Sequence, residues 1–499
     1  MCKQPDKPTG LGPSLVQSRS AALRPVPRPR LVLPDLPSTP TGPAEGFDFT
    51  LMTSNVLAPS LASAQWFPLS PPEYLDATYR FEGHIEEVAT YRPSVLCLQE
   101  MGGHPGPWLK ELKRLGYTAR TARVPRKRHG VCIAYNHQEW TERRFDRILL
   151  ADHITVPSLD RWCAERDWES GGGLTAPMAT KTTDRWSIGH ENIAAVAVLD
   201  RRHGLAERSK LSALSQLASQ FSDMTVDGLD LPDDCASPKA SVTSGIDGIV
   251  VCTCHLYWDP VASFDRLVQV VRILEKVRKI NQRLMYPVFL AGDFNTKPSD
   301  PLYKILTSQK LHAADFDRLT ESVAALAYNQ SASRGKPRFD PATLCLQIPR
   351  ARQVDYVGVW VDRLQALGTY QSAYRLPAGA YEADTTRLHW ESDPVTWCEP
   401  PFTTYCDFVG TLDYVFYMGR QDTAGADEAD CDPDRVHEVI CRPLFVLRPP
   451  LAGEVAPGIP NEQFPSDHIS LLTGFRVQAL RPAFAAGRPS SSNPSLGRH

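Results

Sequence analysis

Residues 286–303 read YPVFLAGDFNTKPSDPLY, and the predicted architecture of the chain starts from this segment. Its apolar run, VFLAG at 288–292, is followed at once by Asp293 and Asn295 and then by two prolines. Apolar and β-branched residues that stop at polar and proline residues are typical of a buried strand. Alone, the GDFN turn is equally consistent with a local Asx turn. The segment therefore predicts a central strand with polar groups at its carboxyl end.

Further runs of the same kind occur along the chain, and they predict a layered protein. The strand-like runs are FDFTLMTSNVL (47–57), SVLCLQE (94–100), GVCIAYN (130–136), IAAVAVLD (193–200), GIVVCTCHLY (248–257), GTLDYVFYM (410–418) and HISLLTGFRV (468–477). Amphipathic helical patterns at 74–91 and 264–284 lie between some of them. Strands that alternate with helices predict an α/β fold.

Composition divides the chain into a folded region and two tails. Residues 1–45 and 479–499 are rich in Pro and Ser and lack a hydrophobic period, so we expect both to be disordered. Residues 46–478 form the folded region. Within it, three polar and weakly periodic segments are interpreted as loop insertions, near 150–187, 201–247 and 308–400.

Composition also bears on location and partners. No run of about 18 apolar residues is present, so we expect no membrane partner. The first ten residues lack the apolar core of a signal peptide, which favours an intracellular protein of the cytoplasm or nucleus. An arginine-rich start also points toward the mitochondrion, although its prolines oppose the amphipathic helix of a transit segment. The net charge of −3 excludes an overall positive field that would hold nucleic acid.

Polar side chains stand at the ends of successive predicted strands. They are Asn55, Glu100, Asp293, Asn295, Asp413, Asp467 and His468. Each of them alone could be a solvated side chain or a turn residue. For the residues to share no common site, however, every one of these separate explanations would have to be true at once. Carboxylates that converge repel one another unless a cation neutralises them. Mg²⁺ accepts carboxylate and amide oxygens and keeps waters free for a phosphate ligand, so we expect Mg²⁺, with Mn²⁺ as a possible substitute.

Six motifs carry a resemblance to a known family. In order they are TSNVLAPS (53–60), VLCLQEM (95–101), CHLYWDP (254–260), GDFNTKPSDPLY (292–303), DFVGTLDYVFY (407–417) and FPSDHISLL (464–472). They resemble the motifs of the endonuclease/exonuclease/phosphatase superfamily, and within it the branch of Ccr4, Nocturnin, Angel and, most of all, the fungal Ngl-type RNA exonucleases. The resemblance implies an α/β (α+β) four-layer sandwich, in which two packed mixed β-sheets are flanked by helices as in DNase I.

The same resemblance implies roles around a metal ion. Glu100 ligates Mg²⁺, with Asn55 and Asp467 on the metal side. Asp293 serves the metal and accepts a proton from, or aligns, the attacking water. Asp413 orients the ring of His468, which donates to the phosphate in the transition state.

It also implies a substrate-binding set. Asn295 hydrogen-bonds the scissile phosphate, and His255 lies near it. Pro260 and Phe408 contact the terminal base, on which an aromatic ring can stack. Asn192 matches a further polar position of the site.

The expected function is a 3′-to-5′ exoribonuclease that acts on the single-stranded 3′ end of poly(A) or of an RNA precursor and releases 5′-monophosphates. The chain shows no leucine-rich repeats, so we expect no docking as a core subunit of a deadenylase complex. Two alternatives stay open: a phosphatase of a nucleotide or dinucleotide, and a catalytically silent RNA-binding scaffold.

Overall fold

A computed structural model provides the fold. It describes residues 27–33, 45–125, 127–150, 155–157, 185–187, 192–202, 246–333, 350–377, 380–381, 397–422 and 438–480. Among these residues, no helix combines the length and the apolar character that a membrane crossing requires.

The described residues form twenty strands and seven α-helices. The strands are β1 (Arg30–Val32), β2 (Glu45–Asn55), β3 (Val95–Gly102), β4 (Tyr117–Ala122), β5 (His129–Asn136), β6 (Trp140–Leu149), β7 (Thr155–Pro157), β8 (Arg185–Ser187), β9 (Ile193–Arg201), β10 (Gly248–His255), β11 (Val288–Asp293), β12 (Gln371–Ser372), β13 (Leu376–Pro377), β14 (Trp397–Cys398), β15 (Thr404–Tyr405), β16 (Val409–Gly410), β17 (Asp413–Tyr417), β18 (Arg420–Asp422), β19 (Glu438–Leu447) and β20 (Leu471–Leu480). The helices are α1 (Ala77–Tyr91), α2 (Gly106–Arg114), α3 (Ser263–Asn281), α4 (Pro301–Leu306), α5 (Ala313–Ser333), α6 (Arg350–Gln365) and α7 (Ala452–Val455).

Two mixed sheets carry most of the strands. In sheet A, of eight strands, the order is β1-β19-β20-β2-β3-β5-β4, with β18 paired to β19. In sheet B, of six strands, the order is β12-β17-β11-β10-β9-β6. Only β2 with β3 and β10 with β11 run parallel among the pairs within these sheets that the structure describes. The three remaining strand pairs are β7-β8, β13-β14 and β15-β16.

The two sheets pack face to face and helices cover their outer faces. Aromatic side chains fill the space between the sheets, where the ring of Phe289 lies 5.0 Å from that of Phe49 and 4.9 Å from that of Phe475. Helices α1 and α2 pack on sheet A, and α3 to α6 pack on sheet B. Burying each such aromatic side chain is worth about 1.5–3 kcal/mol, so the interface between the sheets is a large part of the core. The predicted four-layer sandwich is confirmed.

All eight predicted strands are present, and both helical patterns are helices. The sequence did not reveal β4, β6 and β19. Polar and charged residues, such as Arg143 and Arg144 on β6, interrupt the apolar pattern of these strands.

Two interpretations of the sequence are wrong. The tail predicted for residues 1–45 is ordered at 27–33, because Arg30–Val32 pair antiparallel with β19 and extend sheet A. An apolar run of three residues between prolines is too short to show in a periodicity. The rest of that tail, residue 45 apart, and residues 481–499 lie outside the described residues.

The segment 308–400 is not a surface loop where the structure describes it. Leu319 and Val323 of α5 and Tyr356 and Trp360 of α6 belong to the core on sheet B. Their helical spacing was hidden among charged residues. Of the segments near 150–187 and 201–247, most residues lie outside the described ranges, so their interpretation as insertions stays a prediction.

Candidate active site

The ends of β2 and β3 supply an amide and a carboxylate side by side. Asn55 ends β2 and is paired in register with Gln99 of β3. Its Nδ2 donates to Glu100 Oε1 at 3.1 Å, and the N–H of Ala58 donates to Glu100 Oε2 at 2.9 Å. Both side chains are buried. The parallel pairing of β2 and β3 therefore brings two residues that are 45 positions apart in the sequence into contact.

A β-bulge aims Glu100 at this point. The register of β3 against β5 shifts between Leu98 and Met101, and Glu100 has a φ of 58°. A bulge breaks the alternation of side chains along a strand and can direct one residue out of the sheet face. Gln99 turns into the core, where its Nε2 donates to Thr253 Oγ1 at 2.9 Å, while Glu100 faces Asn55. Left-handed backbone at a non-glycine residue costs about 1–3 kcal/mol and is typical of functional sites.

Three neighbouring strands of sheet B contribute a row of ionisable residues. His255 ends β10, Asp293 ends β11 and Asp413 begins β17, and the register pairs His255 with Asp293 and Asp293 with Asp413. Because residues paired in register project from the same face, the three side chains lie side by side. The distance from His255 Nε2 to Asp293 Oδ2 is 3.5 Å.

Asp293 links the two sheets. Its Oδ2 accepts a hydrogen bond from Asn55 Nδ2 at 3.0 Å, and its Oδ1 accepts one from the backbone N–H of Asn295 at 2.9 Å. The second contact is an Asx turn, which confirms the local interpretation of GDFN, and the functional interpretation stays a prediction. Asn295 has a φ of 48°, and its Nδ2 donates to the carbonyl of Leu256 at 2.9 Å.

The segment before β20 brings the last two predicted residues to the site. The hydroxyl of Ser466 donates to the carbonyl of Asn55 at 2.6 Å, and His468 forms a β-bridge with Thr404. These contacts hold His468 Nε2 at 3.8 Å from Asp293 Oδ2 and 3.9 Å from Asp467 Oδ2.

Asp413 and His468 form a buried pair. His468 Nδ1 lies 2.7 Å from Asp413 Oδ2, and the hydroxyl of Thr403 donates to the same oxygen at 2.7 Å. Burial alone would lower the pKa of His468, but Asp413, Asp467 and Asp293 raise that pKa well above its ordinary value. The imidazole is thus held as a cation whose Nε2 faces the cluster.

The residues present fit a hard divalent cation. Burial, with repulsion from Glu100 and Asp293, raises the pKa of Asp467 to about 6 although His468 opposes the shift. Such mutual repulsion of buried carboxylates is relieved by a bound cation. Asp293, Asp413 and His468 offer ligand atoms within 4.8 Å of one another. Asp413 Oδ2 already accepts two hydrogen bonds. The oxygens of Glu100, Asp293 and Asp467 are therefore the better metal ligands.

The residues predicted to contact substrate belong to segments that are joined to this centre by sequence or by strand pairing. Asn192 is buried, and its Nδ2 donates to the carbonyl of His255 at 2.7 Å. Phe408 is 36% exposed, and the ammonium of Lys297 lies 4.7 Å from the centre of its ring. Pro260 is exposed in the loop between β10 and α3. The contacts of Pro260 and Phe408 with a base stay predictions.

Several residues of the site were not identified from the sequence. Arg80 of α1 is buried, and its Nη1 donates to the carbonyls of Val56 at 3.0 Å and Leu57 at 2.7 Å, which fixes the loop after Asn55. Nothing in the residues around Arg80 distinguishes it from a solvated helix arginine. Trp258 is 68% exposed. Its position in the motif HLYWDP is the feature of the sequence that could have identified it.

The Trp258 loop is held rigidly. Arg266 is buried, and its Nη1 donates to the carbonyls of Asp259 at 2.6 Å and Tyr257 at 3.3 Å. The N–H of Tyr257 donates to Gln269 Oε1 at 3.1 Å. An exposed indole on a braced loop is suited to stacking, since little entropy is lost when a base binds.

Comparisons with known proteins identify the family of the chain. Residues 52–468 match the model of the Endonuclease/Exonuclease/phosphatase family. The chain is 25% identical over 467 residues to "Probable RNA exonuclease NGL3" of Saccharomyces cerevisiae, covering 88% of this chain and 79% of the relative. It is 22% identical over 493 residues to "CCR4-Not complex 3'-5'-exoribonuclease subunit Ccr4" of Mycosarcoma maydis, covering 90% of this chain and 54% of that protein.

A solved structure shares the fold. It is described as "ANGEL2, a 2',3'-cyclic phosphatase", and it superposes with a TM-score of 0.54 at 18% identity, covering 90% of this chain and 98% of the other. The resemblance noted from the six motifs is confirmed by these matches.

Proposed function

Since the chain belongs to the Endonuclease/Exonuclease/phosphatase family, we propose that it is a Mg²⁺-dependent 3′-to-5′ exoribonuclease that releases 5′-monophosphates. One observation carries the proposal. The carboxylate of Asp293 is surrounded within 3.0–3.8 Å by Asn55, His255 and His468, each from a different part of the chain. Gathering ionisable groups in this way costs stability, and such clusters are typical of sites that perform chemistry.

Glu100, Asp293 and Asp467 would hold Mg²⁺, and the Nδ2 of Asn55 orients the carboxylates of Glu100 and Asp293. When bound, the ion polarises a phosphoryl oxygen and offsets negative charge that develops there. The carboxylates in turn are kept in place by contacts within the protein, such as the 2.9 Å hydrogen bond from Ala58 to Glu100.

The remaining groups act on the water and the phosphate. Asp293 accepts a proton from, or aligns, the attacking water, because two hydrogen bonds fix its orientation. His468, protonated beside Asp413, donates from Nε2 to a phosphate oxygen as charge builds in the transition state. Asn295 has a second amide N–H beyond the one that bonds Leu256, and this N–H serves the scissile phosphate.

RNA is the substrate that the sequence relatives favour. The two relatives described above carry the names "Probable RNA exonuclease NGL3" and "CCR4-Not complex 3'-5'-exoribonuclease subunit Ccr4". Phe408 lies in the turn after the strand that is bridged to His468, and Trp258 lies in the loop that follows His255; both rings are exposed. Stacking of a base on such a ring contributes about 1–3 kcal/mol irrespective of base identity. As part of this proposal, the protein acts on RNA in the cytoplasm or the nucleus.

The test is hydrolysis of a 5′-labelled oligoribonucleotide. The wild type should shorten it one nucleotide at a time and release 5′-monophosphates. Glu100→Ala and Asp293→Ala should abolish turnover. Asp48→Ala is the matched control, because Asp48 is an exposed carboxylate on the same strand as Asn55 and pairs only with surface Arg476 among the described residues. Normal hydrolysis by Glu100→Ala would refute the assigned centre.

A second candidate is a phosphatase that acts on a nucleotide, a dinucleotide or a cyclic phosphate end. The structural relative is titled a 2',3'-cyclic phosphatase, and the groups described above would serve any phosphoester hydrolysis. Product analysis separates the two. Release of inorganic phosphate from a dinucleotide phosphate, without shortening of the oligoribonucleotide, would favour the phosphatase.

A further inference from the structure

A cleft of about 880 Å³ opens beside the candidate active site, in a part of the surface that has no role in the chemistry proposed above. The size is within the range of about 300–1,000 Å³ that is typical of ligand-binding clefts. The residues that set its character are Pro59, Phe81, Trp108, Arg123, Lys127 and Arg128.

One wall of the cleft is continuous with the residues that hold Glu100. Gly102, which lines the cleft, ends the strand that carries Glu100. Pro59, also in the lining, follows Ala58, whose N–H donates to Glu100 Oε2 at 2.9 Å. The lining of the cleft therefore includes segments that carry Glu100 and hold its carboxylate.

A second wall connects to His255. Lys127 lines the cleft, and its Nζ lies 3.2 Å from Asn192 Oδ1. Asn192 in turn donates to the carbonyl of His255 at 2.7 Å. Cleft and centre thus share one hydrogen-bonded framework.

The chemistry of the cleft matches a polyanion with flat apolar faces. Arg123 and Arg128 are exposed, and none of the described residues in the lining is acidic. Phe81, Trp108 and three prolines supply apolar surface between the cations. On a chain whose net charge is −3, this concentration of positive charge is local. Single-stranded nucleic acid offers phosphates to the cations and base faces to the apolar surface.

Strand order places the cleft on the opposite side of the centre from Phe408. His468 precedes β20, which pairs with β2, and β2 pairs with β3, which pairs with β5. Phe408 belongs to the turn between β15 and β16, and β15 is bridged to His468. Arg123, Lys127 and Arg128 lie between β4 and β5, beyond the strand of Glu100. A chain bound at Phe408 by its end would cross Asn55 and Glu100 and enter the cleft.

We propose that this cleft binds the nucleotides of single-stranded RNA that lie 5′ of the scissile phosphate. Arg123 and Arg128 contact phosphates, and the apolar lining contacts base and sugar faces. The inference rests on the proposed function, because only a 3′-to-5′ exonuclease leaves the bound chain on the 5′ side of the scissile phosphate. It predicts that affinity increases with the length of the oligoribonucleotide, whereas a small-molecule phosphatase has no use for such a cleft.

The test measures binding separately from hydrolysis. In the Glu100→Ala background with Mg²⁺ present, fluorescence anisotropy would give the affinity for a labelled octaribonucleotide and, by competition, for adenosine 5′-monophosphate. Arg123→Glu and Arg128→Glu should each weaken octaribonucleotide binding about tenfold, equivalent to about 1.4 kcal/mol, because each removes a cation that would contact a phosphate. Each should also reduce the slope of log affinity against log salt by about 0.7.

Arg283→Glu is the matched control. Arg283 is exposed in the loop before β11, at the opposite end of that strand from Asp293, and its substitution should leave both affinities unchanged. Melting temperatures of all variants would confirm that they fold.

The possible results have distinct meanings. Unchanged octaribonucleotide affinity in both cleft variants would overturn the proposal. So would an equal loss for octaribonucleotide and mononucleotide, which would identify a small-molecule pocket. If the wild type fails to hydrolyse RNA while the cleft variants still weaken octaribonucleotide binding, the proposed function is wrong and the RNA-binding cleft stands.

Discussion

Replacing Asp413 by Asn removes one charge from the buried pair at the centre of the site. Asp413 Oδ2 accepts from His468 Nδ1 and from the Thr403 hydroxyl, both at 2.7 Å. Asn can place its own oxygen at that position and keep both hydrogen bonds. The substitution therefore changes the charge beside the imidazole and leaves the shape of the site nearly intact.

The expected loss of activity follows from those contacts. A hydrogen bond to a charged group contributes about 1.5–3 kcal/mol and a neutral one about 0.5–1.5 kcal/mol, so the pair itself loses about 1 kcal/mol. Without the Asp413 charge, the His468 imidazole is protonated less of the time and donates a weaker hydrogen bond to the phosphate. This loss raises the transition-state free energy by about 2–3 kcal/mol more. The sum of about 3–4 kcal/mol corresponds to a decrease of roughly 100- to 1,000-fold in kcat.

The assay is single-turnover hydrolysis of a labelled oligoribonucleotide over a range of pH. In the wild type the raised pKa of His468 keeps the imidazole protonated, so activity should fall only as pH rises through that elevated pKa. In Asp413→Asn the alkaline decline should begin at lower pH. Asp407→Asn is the matched control, because Asp407 is exposed in the neighbouring turn. If Asp413→Asn keeps more than about a fifth of the wild-type kcat, a loss below about 1 kcal/mol, the assigned role of the pair is wrong.

Three further predictions concern the metal, the substrate and stability. EDTA should abolish hydrolysis, and Mg²⁺ or Mn²⁺ should restore it, because buried carboxylates need a cation to act together; a chelator-insensitive enzyme would contradict this. Trp258→Ala should raise KM for an oligoribonucleotide about tenfold with a smaller effect on kcat, in line with a stacking energy of about 1–3 kcal/mol. Trp66 is another exposed tryptophan, and Trp66→Ala should leave KM unchanged. Equal effects of the two substitutions would exclude a specific stacking role for Trp258. Burial raises the pKa of Glu399 from its usual 4.5 to about 7 although the Tyr303 hydroxyl opposes the shift, so the folded state favours the protonated acid and loses stability as pH rises from 4.5 to 7. The amide oxygen of Gln in Glu399→Gln can still accept the hydrogen bond from Tyr303. The free energy of unfolding of this variant should therefore exceed that of the wild type by up to about 3 kcal/mol near pH 8 and by nothing near pH 4. A pH-independent difference in chemical denaturation would refute the assignment.

The alternation of strands and helices was predictable because buried strands and amphipathic helices must carry apolar residues at fixed spacing. Strands β4, β6 and β19 were not, since consecutive polar or charged residues, as in WTERRFDRIL of β6, interrupt that spacing. Helices α5 and α6 were missed for the same reason. Tertiary packing buries Tyr356 and Trp360 against sheet B, and no local pattern announces which face of a charged helix will be covered.

The site divides in a similar way. The sequence identified Asn55, Glu100, Asp293, Asp413 and His468, because polar residues that end apolar runs stand at strand ends, where a fold can present chemistry without opening its core. Their distances, the orientation of Glu100 by the bulge and the brace supplied by Arg80 depend on strand register. Register is fixed by packing between residues hundreds of positions apart, and no short window of sequence contains that information.

By itself, then, the sequence of this protein determined the layers of the fold, the family and the chemical types gathered at one rim, since each follows from the side chains in local order. Only the tertiary structure decided that Asp293 contacts Asn55, His255 and His468 at once, that Asp413 holds His468, and that a basic cleft adjoins Glu100. The physical reason is that such proximity arises from the pairing of strands and the packing of two sheets. Those interactions are non-local, and their geometry exists only in the folded chain.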